Sequence, residues 1–583
     1  MKLNYKKTIF VGFAFFLICA FWQAYDSIVP MMLVNKFGLN QTLSGIVMSL
    51  DNVLALFLLP LFGALSDKTT TKFGRRTPYV VIGTLIAVCT FFGLTFADNA
   101  QLAKIGDADS VTFYEELFDQ NAEIANAEYS SVYNRSVPEK YSVKNYATQI
   151  VYNKNNDELS EGEQHTVKSW YKSINKEYFE DHSAKETAYA YINGTYFSVI
   201  YENGSPFYLR ENEKGDQVKT AVAATDLSNA YTSLVTPARS AYAWNKTKSE
   251  PGAFICFGGL LLLTLFAMAS FRSPAVALMP DVTVKPLRSQ ANAVINLMGT
   301  AGGMLVLVLG MVFKTGKTFN QLMSYTGFIG AVCLLMVAGL LFFVLKVREP
   351  KWVKETEEES VREGLETREE ADETATRKLG KSEKRSLVLI LLSVALWYIG
   401  YNAVTSKYSL YATNVLHKDY NATLLIAQAA AIVSYIPVGM LARKIGRKKS
   451  ILAGVVLLTA AFVGATFVTS ASSGLLLNLL FAAAGIGWAT INVNSFPMVV
   501  ELASGGNVGK FTGYYYTASM AAQIATPILS GLLMDAVGSM KPLFYYAAFF
   551  AGLAILTMAF VRHGDSRPDA KGHILEHLDI DDD

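Results

Sequence analysis

Twelve long apolar runs constrain this sequence more than any other feature. About 20 helical residues cross the hydrocarbon core of a bilayer, because an α-helix rises ~1.5 Å per residue. Backbone polar groups inside a bilayer must pair within the chain, so the runs predict an all-α membrane protein with twelve transmembrane helices. The runs lie at approximately 8–34, 41–66, 78–97, 252–280, 288–313, 323–346, 386–411, 421–442, 450–470, 474–500, 510–534 and 541–562.

The composition fits a chain that lies in a lipid bilayer. Charged residues make up 17% of the sequence, against roughly 25% in soluble domains. A net charge of +2 gives no sign of a nucleic-acid partner, and none is predicted. All four cysteines fall in apolar runs, where they are interpreted as small hydrophobic residues rather than as disulfides.

A polar insertion interrupts the first group of six runs. Its segment "AYAYINGTYFSVIYENGSPFYLREN" alternates aromatic and aliphatic residues around two Asn-Gly pairs, which predicts a three-stranded meander. With the helical sequence "FYEELFDQNAEIANAEY" before it, the insertion is expected to be a small α+β domain. The predicted division is 1–97 and 251–347 for the first bundle, 98–250 for the inserted domain, 348–385 for a solvated helical or disordered linker, 386–562 for the second bundle and 563–583 for a tail.

The basic residues indicate an orientation. They cluster in the loops after the second, fourth and eighth runs, for example at Arg75, Lys285 and Arg447. Positive loops stay in the cytoplasm, which predicts a multi-pass cell-membrane protein with both termini cytoplasmic and an extracytoplasmic insertion. The first run is too long for a signal peptide and is expected to remain as a helix.

The two groups of runs look like copies of each other. "FWQAYD" aligns without gaps on "WYIGYN", which places Tyr25 over Tyr401 and Asp26 over Asn402. The loop "GALSDKTTTKFGRR" after the second run matches "GMLARKIGRK" after the eighth. Two similar halves around a central cavity are typical of secondary transporters, so two pseudo-symmetric six-helix bundles are predicted.

These loop motifs resemble the signature of the major facilitator superfamily. The stretched first copy, "SDKTTTKFGRRTPYVVIGT", is similar to the sucrose–proton symporters and to the glycoside–pentoside–hexuronide cation symporters. "SPAVALMPDVTVKPLRSQAN" resembles the region between their fourth and fifth helices. The resemblance covers roughly 8–97 and 252–562, and it implies transport of a sugar by alternating access; it says nothing about the insertion.

Carboxylates within the runs are the candidates for ion coupling. No histidine lies in a run, so a coupled proton would be carried by Asp51 or Asp26. Intramembrane acids are costly and are usually functional. The alternative is that each acid is a structural partner of Arg272 or of a buried asparagine.

Sodium is the competing coupling ion. Melibiose-type relatives carry further acids on the second helix, at positions occupied here by Ala55 and Leu59, so the resemblance favours a proton. The sucrose carriers place an arginine where this chain has Val276, which favours another sugar over sucrose.

Aromatic rings beside amides predict a sugar site, because a sugar presents C–H groups on its faces and hydroxyls at its rim. The alternative is that such rings only pack or anchor the helices. The predicted substrate-binding residues are Trp22, Gln23, Tyr25, Asn52, Arg272, Trp397, Tyr401, Asn402, Trp488 and Asn492.

Charged residues at the predicted cytoplasmic ends are expected to form gates. The superfamily resemblance implies that an acid at the inner end of the fourth helix pairs with loop arginines and latches the outward-facing state. For Asp281 and Glu501 a proton-binding role is the alternative. The predicted gate residues are Asp67, Arg75, Arg76 and Asp281, with Arg447 and Glu501 as a pseudo-symmetric copy.

The sequence therefore predicts proton-coupled uptake of a di- or oligosaccharide or glycoside. A sodium-coupled sugar carrier is one alternative, and a sensor whose outer domain binds a glycan or a protein is another. No enzyme motif, cofactor site or metal-ligand cluster is recognisable, so neither an enzyme nor a cofactor is predicted.

Overall fold

Long helices build most of the described molecule. A computed structural model of the chain describes residues 3–106, 188–192, 195–202, 205–211, 217–221, 236–284, 287–317, 321–362, 380–416, 418–469, 472–502 and 508–564. The helices are α1 (Tyr5–Met31, continued by a π-helical turn at Met32–Lys36), α2 (Gln41–Asp67), α3 (Thr77–Lys104), α4 (Thr236–Ser249), α5 (Gly252–Asp281), α6 (Arg288–Val312), α7 (Thr326–Lys346), α8 (Glu349–Arg362), α9 (Lys381–Asn414), α10 (Tyr420–Ile445), α11 (Arg447–Thr466), α12 (Gly474–Val500), α13 (Val508–Val537) and α14 (Pro542–Ala559).

Eleven of the described helices are long and apolar enough to cross a membrane. The short α4 and α8 are not among them, and neither is α10, for which the sequence predicted the eighth span. Helix α10 is rich in alanine and carries Asn421, Gln428 and Tyr435, which lowers its hydropathy. The finding supports a multi-pass membrane protein, with α10 as the helix whose composition departs from the others.

Polar residues begin the helices where the chain turns. The Asn4 side chain accepts a hydrogen bond from the Lys7 amide, and Asn40 accepts one from the Leu43 amide, so each caps the helix that follows. Between α10 and α11 the chain reverses at Gly446, whose φ of 89° lies in the region that favours glycine.

Four short strands lie within the predicted insertion. They are β1 (Ala188–Ile192), β2 (Thr195–Glu202), β3 (Ser205–Glu211) and β4 (Gln217–Ala221), paired antiparallel in the order β1–β2–β3–β4. The predicted three-stranded meander coincides with β1 to β3, and β4 adds a fourth strand. The helical sequence predicted before the meander lies outside the described residues.

The long helices pack as two halves. One hydrophobic core runs from Val11 to Val347, and a second is built mainly from residues 387–561. The most extensive helix contacts between the halves are those of α1 with α9, α2 with α13 and α6 with α10. We call the two ends of this assembly the Lys36 end, where α1 finishes, and the Arg76 end, where α2 finishes.

The boundary between the first bundle and the insertion differs from the prediction. Helix α3 continues to Lys104, so Asp98 lies within the helix and not at the start of the insertion. Its carboxylate lies 2.5 Å from the Lys36 ammonium, and both side chains are fully buried. Pairing with a cation is what allows a carboxylate to occupy this enclosed position.

The start of the linker is docked against the first half. Glu349 opens α8 and is 1% exposed. Its carboxylate accepts hydrogen bonds from the amides of Arg75, Arg76 and Thr77 at 2.7–2.9 Å, where α3 begins. The expectation of a solvated helical or disordered linker was therefore wrong for Glu349, its second residue, because an anion is stabilised at a helix N-terminus.

Candidate functional site

A cavity of ≈ 480 Å³ lies between the two halves. It is lined from α1, α2, α5 and α6 on one side and from α9 to α13 on the other. Nine of the residues predicted from the sequence line it together, namely Trp22, Gln23, Asp26, Asp51, Asn52, Arg272, Tyr401, Trp488 and Asn492.

The two predicted acids face this cavity from neighbouring helices. Asp26 on α1 and Asp51 on α2 are close enough to interact electrostatically. The Asn52 amide donates a hydrogen bond of 2.8 Å to Asp51. The Asp26 carboxylate receives no hydrogen bond from the described residues. Asp26 is thus the cavity acid with the fewest structural ties.

Arg272 is the cation of the cavity lining. Its guanidinium carbon lies 5.9 Å from the centre of the Trp22 ring, which is a cation–π distance. It interacts electrostatically with Asp51, although it forms no salt bridge within the described part of the chain. The Trp22 ring therefore orients the guanidinium, and its hydrogen-bond donors are not paired with a carboxylate of the described residues.

An aromatic pair covers the opposite wall. The rings of Tyr401 and Trp488 stack with centres 3.6 Å apart and planes within 2° of parallel. Tyr398 packs its edge against Trp488 at 5.1 Å. The stacked pair presents a flat apolar surface of the kind that the C–H face of a sugar ring can contact.

Hydrogen bonds between lining residues join the two halves at the cavity, and the shorter one is made by two glutamines. The Gln428 amide donates to the Gln23 carbonyl oxygen at 2.6 Å, and Gln23 in turn donates to Ser27 at 3.2 Å. Gln428 was missed in the sequence, although a lone amide in an apolar run is the same kind of signal as Asp26. Other polar lining residues that were missed are Thr300, Thr405, Ser409, Tyr435 and Gln523.

Three predicted substrate-binding residues lie away from the cavity lining. Tyr25 and Trp397 are fully buried in the two hydrophobic cores, where large rings fill space between helices. Asn402 follows Tyr401 by one position on α9, and one position rotates a side chain by about 100° around a helix. The alignment of Asp26 with Asn402 therefore does not place both at the cavity.

The predicted residues of the first gate come together at the Arg76 end. Arg75 donates to Asp281 at 2.7 Å, and Arg76 donates to the same carboxylate at 2.8 Å. Arg76 also contacts Asp67. All of these residues belong to the first half.

The second gate is smaller. Arg447 pairs with Glu501 within the second half. The neighbouring Lys448 donates instead to the backbone oxygens of Ala559 and Val561, at 2.9 and 2.6 Å. The two gates therefore share a position in the repeat, and each contains at least one arginine–carboxylate pair.

The halves are joined by hydrogen bonds at the Lys36 end. Asn414 donates to Asn35 at 3.1 Å, and the hydroxyls of Tyr420 and Thr315 lie 2.8 Å apart. These contacts hold the two halves together at that end.

Known families match most of the membrane part. The family described as "Major Facilitator Superfamily" matches residues 243–520 and 419–577. The family described as "MFS/sugar transport protein" matches residues 10–112.

Curated relatives match a short segment. "Proton-associated sugar transporter A" of Homo sapiens is 29% identical over 106 residues, which cover 18% of this chain and 14% of the relative. The protein of the same name from Mus musculus is 32% identical over 85 residues, which cover 15% of this chain and 11% of the relative. The matched segment is thus a small part of each relative's length.

Solved structures share the fold over nearly the whole chain. The inward open conformation of the xylose transporter XylE from E. coli aligns with a TM-score of 0.50 and 13% identity, covering 99% of both chains. A mutant of the nucleoside transporter NupG aligns with a TM-score of 0.52 and 10% identity, covering 96% of this chain and all of the other. At these identities the likeness concerns the fold.

Proposed function

Because the chain belongs to the Major Facilitator Superfamily, we propose that it is a secondary active transporter that takes up a sugar together with a proton. The observation that carries this proposal is the cavity between the halves, in which Asp26, Asp51 and the Tyr401–Trp488 pair meet. A titratable group and a ring-binding surface in one space are the minimum that coupled sugar transport needs.

Proton coupling is assigned to Asp26 and Asp51. An ionised carboxylate is costly in a membrane interior, and protonation removes that cost. Asp26 has no hydrogen-bond donor among the described residues, so a bound proton neutralises it without breaking an existing contact. Asp51, held by Asn52, senses both Asp26 and Arg272 electrostatically and is the second candidate.

Sugar binding is assigned to both walls of the cavity. One face of the sugar ring would stack on the Tyr401–Trp488 pair, while hydroxyls would bond with Asn52, Arg272 and Asn492. Trp22, Gln23 and Gln428 complete this set from the same lining. The names of the relatives, a proton-associated sugar transporter and a xylose–proton symporter, agree with this substrate class.

Alternating access would proceed by rocking of the two halves. We place twelve spans in the membrane, with both termini in the cytoplasm and the insertion, as an α+β domain, outside. The Lys36 end then faces outward and is closed. Both gates are formed in this closed state, and each lies within one half, so rigid-body rocking would leave them intact. We therefore assign them to shaping the loops and not to an outward-facing latch.

Uptake into proteoliposomes tests the proposal. Labelled mono- and disaccharides would be offered under a pH gradient or a sodium gradient, to the unaltered protein and to Asp26→Asn and Asp51→Asn. We expect pH-driven accumulation that is lost in at least one variant. Glu355→Gln on the exposed side of α8 is the matched control, because it makes the same chemical change outside the cavity.

Each other outcome has a meaning. Accumulation driven by sodium would replace the proton with sodium in the proposal. Absence of uptake for every sugar would favour a sensor, in which the outer domain binds a glycan or a protein.

A further inference from the structure

At the Lys36 end, a carboxylate of one half occupies a helix N-terminus of the other. Asp535 of α13 accepts hydrogen bonds from the amides of Gln41 and Thr42 at 2.9 and 2.8 Å. It also accepts one from the Thr42 hydroxyl at 2.5 Å. The first amides of a helix have no partner within it, and they carry the positive end of its dipole. Asp535 therefore provides, from across the interface between the halves, the acceptor that the first amides of α2 lack within their own helix.

Gln41 is also bound by a cation of the second half, which lies on a different helix from Asp535. Lys407 of α9 donates to the Gln41 backbone oxygen at 3.0 Å and to its side-chain oxygen at 3.3 Å. Lys407 is 3% exposed and interacts electrostatically with Asp535. Gln41 thus lies between an anion and a cation that both belong to the other half.

The backbones approach closely around these contacts. A Cβ atom on Gly531 of α13 would lie 2.4 Å from the Gln41 oxygen, and one on Gly45 of α2 would lie 2.1 Å from the Pro527 oxygen. Both distances are far below van der Waals contact. Only glycine at these positions allows α2 and α13 to come close enough for Asp535 to reach the helix terminus.

The pseudo-symmetric contact between α10 and α6 has a different chemistry. Asp419 accepts a hydrogen bond of 2.9 Å from the Asn421 amide, so it caps the helix of its own half. The hydroxyl of Thr315 on the other half meets the side chains of Tyr420 and Asn421 at 2.8 and 3.2 Å. The hydrogen bonds of this second contact between the halves join uncharged groups, although the Asp419 carboxylate also packs against Gly316 of the first half.

We propose that Asp535 and Lys407 form a charged clamp on the first turn of α2, and that its release is the step that opens the cavity at the Lys36 end. Separation of α2 from α13 leaves two amides and a carboxylate to be satisfied by water. The clamp therefore stabilises the closed state over the open one, which biases a two-state equilibrium. The inference rests on the alternating access of the proposed function.

The protein's own cysteines supply a test that needs no substrate. Cys19 lines the cavity, so replacing Cys89, Cys256 and Cys333 with alanine leaves one reporter thiol in the full chain. A membrane-impermeant maleimide would be added to each face of sealed vesicles, with a protease-sensitive C-terminal tag to identify the faces. The rate of Cys19 alkylation from the Lys36 face measures how often that end opens.

Three variants remove the clamp to different extents. We expect Asp535→Asn and Lys407→Met to raise the alkylation rate from the Lys36 face by about tenfold or more, because charge-assisted hydrogen bonds are lost. Thr42→Val removes only the hydroxyl bond and is expected to raise it roughly threefold. The rate from the opposite face should fall only by the fraction of molecules that leave the state closed at the Lys36 end.

Asp419→Asn is the matched control, since it removes the same charge at the same end from a carboxylate that packs against Gly316 but accepts hydrogen bonds from Asn421 of its own half. We expect its alkylation rates to stay within about twofold of the parent. Unchanged rates in all three clamp variants would overturn the clamp. So would an increase in Asp419→Asn equal to that in Asp535→Asn.

The test also separates this inference from the proposed function. If Cys19 in the parent is reached from both faces at different times, alternating access stands whatever the clamp variants do. If Cys19 is reached from only one face in the parent and in every variant, alternating access itself fails. Alkylation of detergent-denatured protein and the elution profile of each variant show whether an unfolded fraction contributes.

Discussion

The two halves supply different chemistry to the cavity that they share. Within the described lining, all three charged groups, Asp26, Asp51 and Arg272, come from the first half. The second half contributes the stacked Tyr401–Trp488 pair and uncharged amides. The comparison teaches that a repeated fold does not impose a repeated chemistry: ion handling and ring binding are assigned to opposite walls.

The predicted gates of the two halves also differ in the contacts that their residues make. In the first half, Asp281 is shared by Arg75 and Arg76, and Glu349 holds the adjoining backbone. The second half has the single pair Arg447–Glu501 among the gate residues predicted from the sequence. Charge in the described cavity lining thus comes from the first half, whereas both halves carry charged residues at the Arg76 end, such as Arg76 and Arg447.

The largest effect should come from Asp26→Asn. With one proton per sugar, one pH unit supports about tenfold accumulation, because it corresponds to ~1.4 kcal/mol. The variant should lose this accumulation and retain exchange of labelled for unlabelled sugar, measured by counterflow. Asp26→Glu, which keeps the acid, should retain part of it. Full accumulation in Asp26→Asn would place the coupling group elsewhere.

The second-largest effect should be a difference in how much each gate contributes to the free energy of unfolding. Arg76→Gln takes the buried cation from Asp281, which keeps Arg75, and from the exposed Asp67, and we expect the free energy of unfolding to fall by about 2 kcal/mol. Arg447→Gln breaks a more exposed pair and should cost about 1 kcal/mol or less. Denaturation in mixed micelles measures both. Equal losses would contradict the difference between the halves.

Removing the aromatic wall should weaken binding without changing coupling. We expect Trp488→Leu to raise the half-saturating sugar concentration roughly fivefold, since a stacked ring contributes about 1 kcal/mol. The ratio of protons to sugar should stay the same. Trp397→Phe, in the core of the same half, is the control for affinity. A changed proton ratio in Trp488→Leu would show that the second half takes part in ion coupling.

The smallest effect concerns the bond that joins the two walls. Gln23→Ala and Gln428→Ala should each change sugar affinity by about twofold, and a double-mutant cycle should give a coupling energy of about 0.5 kcal/mol. Isothermal calorimetry in detergent measures the cycle. Strictly additive effects would mean that this hydrogen bond does not link the walls during binding.

Most of the fold could be predicted from the long apolar runs in the sequence. The apolar runs predicted the long helices closely, because a membrane span needs a minimum length of apolar sequence. The end of α3 was predicted at 97, too early, because a charged residue such as Asp98 normally ends an apolar run. In the structure Asp98 stays in the helix because it pairs with Lys36. Partners distant in sequence cannot be seen in a local hydropathy pattern.

The cavity was predictable in part. An acid or amide in an apolar run is visible in the sequence, which is how Asp26, Asp51 and Gln23 were found. The direction in which an aromatic ring points is not visible in the sequence. Tyr25 and Trp397 have the same local pattern as Trp22 and Tyr401, and yet they face the hydrophobic cores. The rotation of each helix about its axis is set by packing against neighbours, and this information is not in a single run.

The attachment of the insertion has a consequence for engineering. Lys104 at the end of α3 bonds with Glu250, which precedes α5, at 3.1 Å. The chain therefore leaves the membrane part and rejoins it close to one point, but α4, which precedes Glu250, also docks there, because Thr247 bonds with the Gln101 side chain and the Phe37 backbone oxygen. A reporter domain whose own termini lie close together would therefore be spliced in between Lys104 and α4, so that the contacts of α4 with the bundle are kept.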